Sequence, residues 1–151
     1  MRYLTEHWTQ EELCRSSKAD ELGIVNLPGH QAAACLERWA VMVGEPARVL
    51  LGRPMSPSSG FRNEAVNAAV GGEKDSQHLK GEAVDFTCED MDTAFQMLAE
   101  SPIPYDQIIR EHKVGKDWIH LSYTDRHDPR RQALIIDDNG TRTCQPKQGT
   151  T

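Results

Sequence analysis

No apolar run in this chain approaches the ~18 residues that a membrane-spanning helix needs, and none of the helices expected below is that apolar. The first residues, Met1-Arg2-Tyr3-Leu4-Thr5-Glu6-His7-Trp8, contain no apolar core of the kind a secretory signal carries. The expectation is a chain made in the cytoplasm that does its work elsewhere only after release or as part of a larger particle. Basic clusters are also missing beyond Arg130-Arg131, and the formal net charge is -6. That argues against nucleic acid as a partner, because its binding depends on neutralising phosphates. The four cysteines, Cys14, Cys35, Cys88 and Cys144, form no Cys-x-x-Cys pair. A cysteine-only metal site is therefore not expected, and free thiols are the default. There are no internal repeats and no linker-like stretch. One domain over residues 1–151 is expected, with a loose tail from about 145 and no partner subunit.

What the chain does hold is 38% hydrophobic residues with a mean hydropathy of -0.62, enough for a modest core. Thr9-Gln10-Glu11-Glu12 has the capping-box pattern and opens a short helix. Ser17 caps a second short turn that ends near Gly23. After Pro28-Gly29 a longer helix is expected to Val43, with Ala33, Leu36, Trp39, Ala40 and Val43 on its buried face and Gly44 as its stop. Pro46 to Leu51 reads as another short helix. Pro54 to Phe61 reads as a strand with Arg62 at its exit, and Asn63 to Val70 as a helix closed by Gly71-Gly72. Strands are expected at Ala83 to Thr87, Tyr105 to Glu111, Trp118 to Tyr123 and Ala133 to Ile136. A helix starts at Asp90 or Asp92, Lys113 to Lys116 is a hairpin turn, and Asn139-Gly140 is a tight turn. The fold class is α+β: short N-terminal helices packed on a small, mainly antiparallel sheet.

Chemistry concentrates in Ser76-Gln77-His78-Leu79-Lys80-Gly81-Glu82-Ala83-Val84-Asp85 and in Asp117-Trp118-Ile119-His120. Imidazole nitrogens and carboxylate oxygens bind zinc and similar divalent metals. Asp85 is polar within an apolar strand, and a buried carboxylate is costly unless paired, hydrogen-bonded or metal-bound. Alternation puts Asp85 with Ala83, and His120 with Trp118 and Ser122. Asp117 lies three residues before His120, so a regular strand turns them to opposite faces. It joins His120 only if the backbone bends at the start of that strand. These residues alone also suit a turn histidine, a salt-bridged aspartate and a hairpin-turn Asp117. Arg62 alone suits an ordinary surface or salt-bridged arginine. His112, at the hairpin end, is a competing ligand.

The pattern Ser76-x-His78-x-x-Gly81-x-Ala83-x-Asp85, then Asp117-x-x-His120, with Ser59-Gly60-Phe61-Arg62 upstream, resembles the zinc D-Ala-D-Ala carboxypeptidase family over roughly residues 5 to 124. That family includes D,D-dipeptidases and phage L-alanyl-D-glutamate endopeptidases and shares its fold with the Hedgehog signalling domain. The resemblance implies one zinc ion held by His78, Asp85 and His120. It implies Asp117 as catalytic base, where many members have glutamate, and Arg62 as the contact to a substrate carboxylate. Ser76 either orients its loop or touches substrate. The implied substrate is a peptidoglycan stem peptide, cut by an endolysin-type endopeptidase acting on the cell wall. D-Ala-D-Ala carboxypeptidase is the close alternative. A non-catalytic zinc-binding or virion structural module is the alternative of another class.

Overall fold

A computed structural model describes residues 1–144; the tail expected from about 145 lies outside them. Helix α1 (Gln10–Cys14) is capped by the Thr9 side chain, which accepts from the Glu12 amide, as the capping-box pattern requires. Helix α2 (Ser17–Leu22) is capped by Ser16 rather than Ser17 and closes on Gly23. Helix α3 (His30–Trp39) does not stop at Gly44. It widens into a π-helical turn over Ala40–Gly44 and runs on as α4 (Glu45–Leu51). The reason is packing. The Trp39 ring lies against Gly44, where a Cβ would come within 2.5 Å of it. The glycine is there to admit an indole, not to break the helix.

Strand β1 (Ser56–Ser59) is shorter than the sequence suggests. At Gly60 the chain leaves the sheet and runs along α1, with the Phe61 amide donating to the Leu13 carbonyl. Helix α5 (Glu64–Ala69) is capped by Asn63. A single 3₁₀ turn, Gln77–Lys80, precedes β2 (Ala83–Thr87), and Asp90 caps α6 (Met91–Glu100). The hairpin β3 (Gln107–Lys113) and β4 (Lys116–Ser122) is followed by β5 (Gln132–Asp137) and β6 (Gly140–Thr143).

The sheet has six strands in the order β1-β2-β4-β3-β5-β6. Every adjacent pair is antiparallel except β3 with β5. The architecture is α+β. Period-two alternation gives the sheet two different faces. Val84, Phe86, Ile108, Ile119, Leu121 and Ala133 face the helices and join Leu36, Trp39, Phe95 and Leu98 in one core. The other face carries Asp85, His120, Trp118, Ile109 and Glu111, as the pairings Asp85↔His120, Ile109↔His120 and Glu111↔Trp118 require. No helix of the described residues is long and apolar enough to cross a membrane.

Candidate metal centre

His78, Asp85 and His120 meet on the face turned away from the core. Their ligand atoms all lie within 4.8 Å of one another, and among the described residues they are the one His/Cys/Asp/Glu group of three so placed. Asp85 and His120 are directly opposite in the β2–β4 ladder. His78 comes from the 3₁₀ turn, whose start is capped by the Ser76 hydroxyl accepting from the His78 amide (3.2 Å). The turn closes at Gly81, whose φ of +74° suits glycine, and the same glycine lies close against the Ala32 carbonyl of α3. Gln77 Nε2 donates to the buried Asp106 carboxylate (3.0 Å). Asp106 is in turn held by Arg130. The turn is thus fixed on both sides before any metal binds.

The geometry fixes the protonation of His78. Its Nδ1 lies 2.8 Å from the Gly60 carbonyl oxygen, which can only accept, so Nδ1 carries the proton. The other nitrogen, Nε2, lies 3.3 Å from Asp85 Oδ2. In neutral His78 that contact sets a lone pair against an anionic oxygen, which is repulsive unless a cation lies between them or the ring takes a second proton. His120 Nδ1 lies 3.0 Å from Asp85 Oδ1, and His120 Nε2 is buried with no partner. Burial works to raise the Asp85 pKa, but the two imidazoles outweigh it and hold the carboxyl well below its ordinary range. An ionised carboxylate, an oriented imidazole lone pair and an orphaned ring nitrogen form a donor set suited to zinc. His78 and Asp85 are buried, so the site is dry on the protein side.

Arg62 follows β1 as expected. Its backbone amide donates to the His78 carbonyl (3.1 Å), which ties it to the turn. Its guanidinium is partly buried, and Nε has no hydrogen-bond partner. Burial pushes its pKa down, and the negative Asp85 pushes back. Asn26 holds this segment in place, donating to the Cys14 and Phe61 carbonyls and accepting from the Asn63 amide (2.9 Å each). Asn26 is signalled by no sequence motif, and the motif that contains Gly60 does not reveal that its carbonyl orients His78. A Cβ at Gly60 would come within 2.1 Å of the Leu13 oxygen; that approach, not a turn, is what the glycine provides.

The structure does not bring Asp117 to this group. β4 is regular from Lys116 onward, with His112↔Asp117 paired across the hairpin. The bend that would have swung Asp117 toward His120 is absent. Its carboxylate is on the helix side, accepting from Arg110 Nη1 (2.6 Å) and lying 3.1 Å from His112 Nδ1. Arg110 is buried and also donates to Asp92 at the start of α6 (3.0 Å). The Arg110 hydrogen bond, and then His112, lower the Asp117 pKa. His112 serves that ion pair and is not a ligand of the centre. A cavity of about 1040 Å³ lies behind the 3₁₀ turn, against α3, and is lined by Cys35, Arg38, Leu79, Lys80 and Glu82 among others. None of the three clustered residues lines it, so the chemistry sits on the open sheet face instead.

No curated protein matches this chain. The peptidase M15 family model matches residues 6–122, a span that contains β1, the 3₁₀ turn, β2 and β4, and so all of His78, Asp85 and His120. The chain therefore belongs to the peptidase M15 family, whose members are zinc-dependent peptidases of peptidoglycan.

Proposed function

We propose that this chain is a zinc metallopeptidase that hydrolyses an amide bond in the stem peptides of bacterial peptidoglycan, as an endolysin-type endopeptidase cutting L-Ala-D-Glu or a similar bond. The observation that carries the proposal is the tautomer lock on His78: Gly60 fixes the ring so that its lone pair and an ionised Asp85 converge on one point. His78, Asp85 and His120 would hold one zinc ion. When bound, it supplies Lewis acidity toward a carbonyl oxygen and toward water. Three protein ligands leave room for substrate, the pattern of a catalytic site rather than a structural one. Arg62 supplies a partly buried guanidinium with an unpaired Nε, suited to a carboxylate in the substrate. Ser76 holds the turn through its backbone contact and acts as a positioning residue.

Digestion of purified peptidoglycan, with mass spectrometry of the new termini, tests this reading. New amino-terminal D-Glu is the expected result. Release of free D-alanine would make the enzyme a carboxypeptidase instead. No new termini from a protein that binds one zinc would make it a non-catalytic module.

A further inference from the structure

We propose that Asn67 is the positioning residue for Arg62: its amide oxygen accepts from Nη1 of the guanidinium without neutralising it, and so turns the Nε–Nη2 edge toward a substrate carboxylate. This rests on the peptidase reading above, in which Arg62 contacts that carboxylate, and adds the residue that aims it.

Asn67 is 4% exposed and sits inside α5. Asparagine is a poor helix former, and an amide is costly to bury unpaired, so neither propensity nor packing accounts for it. Its Nδ2 donates to the Glu73 carbonyl (2.8 Å), and its backbone carbonyl accepts from the Gly72 amide (2.9 Å). The Glu73 carbonyl can only accept, so Nδ2 and Oδ1 cannot be exchanged. Oδ1 is therefore the atom turned toward Gly72, and it has no partner among the described residues.

Arg62 arrives at the same place. A Cβ at Gly72 would lie 2.1 Å from Asn67 Oδ1 and 3.1 Å from Arg62 Nη1. Gly72 has no positive φ, so glycine is there for space: it lets an amide oxygen and a guanidinium close on one point. Five buried side-chain polar atoms lack a partner among the described residues. One is His120 Nε2 of the metal group, and two are Arg62 Nε and Asn67 Oδ1. Such atoms are rare in folded proteins, and here a donor group and an acceptor are left open at one spot. The two are close but not bonded in the structure; the bond forms as a carboxylate draws the guanidinium into line.

Charge explains why the acceptor is an amide. A guanidinium carries five N–H donors in one plane. An amide oxygen on Nη1 fixes that plane and leaves Nε and Nη2 for two parallel bonds to a carboxylate. An aspartate in its place would form the ion pair itself and compete with the substrate.

The test measures kcat/KM of the zinc-loaded chain on two soluble stem peptides, one with its carboxylates free and one with them amidated. The ratio of the two values is the readout, taken with zinc affinity and melting temperature. The wild type is expected to prefer the free carboxylates by about 10–100-fold, the worth of hydrogen bonds to a charged group. Arg62→Met, Asn67→Asp and Gly72→Ala are each expected to bring the ratio down about tenfold or more, with zinc affinity unchanged. In the Arg62→Met background, Asn67→Asp should lower it no further. Asn67→Asp should also melt lower, because it no longer donates to Glu73. A merely structural loss would cut both peptides alike and leave the ratio where it was. A wild-type ratio in Asn67→Asp or in Gly72→Ala would overturn the inference, and either variant decides if the other fails to fold. So would a wild-type ratio in Arg62→Met, or an equal further fall in the double variant. If the wild type binds zinc but cleaves neither peptide, the peptidase reading fails and this inference with it. An active wild type whose ratio survives Asn67→Asp sinks the positioning role alone.

Discussion

Arg62 sits beside the proposed metal ligands with its Nε buried and unpartnered, and burial lowers its pKa. A cation held this way costs folding free energy, since the charge is partly desolvated and the Asp85 carboxylate offsets only part of that. Its place there is accounted for if a substrate anion completes the pair. The expected outcome is a split between stability and activity. Arg62→Met should raise the melting temperature while abolishing most turnover. Arg62→Lys should lower kcat/KM by about 10–100-fold, because an ammonium cannot copy a planar two-point contact worth about 1.5–3 kcal/mol. Zinc content should not change in either. Calorimetry, kinetics and metal analysis on the same preparations check this. An Arg62→Met that melts lower and keeps its kinetics would make Arg62 a structural residue.

The element that matters most is the shortest one, the 3₁₀ turn Gln77–Lys80. It carries one proposed ligand, His78, and three unrelated contacts hold it: Ser76 at its start, Asp106 through Gln77, and α3 against Gly81. Gly81 combines a φ of +74° with a position where a Cβ would lie 2.4 Å from the Ala32 oxygen. The left-handed conformation alone costs a non-glycine residue about 1–2 kcal/mol, and the contact with a backbone oxygen adds to it. Gly81→Ala should therefore melt lower. It should also bind zinc more weakly, because relief of the clash moves the turn away from α3 and His78 with it. Chelator competition and thermal melting measure the two effects. A mutant with lowered melting temperature and unchanged zinc affinity would show that the turn does not set the ligand position.

At the scale of the whole molecule, the proposed ligands come from β2, β4 and the turn before β2, so a zinc ion held there would join the sheet centre to the segment packed on α3. A ligand that binds only the folded state stabilises it by about 2.7 kcal/mol at a hundredfold excess over Kd. For a chain of this size each kcal/mol raises the melting temperature by about 2–4 °C, so zinc should raise it by about 5–10 °C. Chelator should reverse the rise, and His78→Ala should show none. Differential scanning calorimetry with and without zinc reads this directly. An equal rise in His78→Ala would place the metal somewhere else.

The sequence by itself determined the faces on which the candidate ligands lie and most of the element boundaries. Capping by Thr9, Asn63 and Asp90 is local chemistry, and alternation along Ala83–Thr87 is enough to set Asp85 apart from Val84 and Phe86. The family resemblance singled out His78, Asp85, His120 and Arg62; the structure brings the first three together and ties the Arg62 backbone to the His78 turn. Only the tertiary structure decided what lies across from what. Whether Asp117 reaches His120 depends on strand regularity at a hairpin, and a buried Arg110 holds the Asp117 carboxylate on the core side. Gly44 read as a helix stop because nothing local reveals the Trp39 ring against it, and the Gly60 carbonyl that orients His78 comes from a residue 18 positions away. Propensity and periodicity act within a few residues of chain. Register, burial of a charge and the partner of a ring nitrogen are settled between segments far apart in sequence, where no local pattern records them.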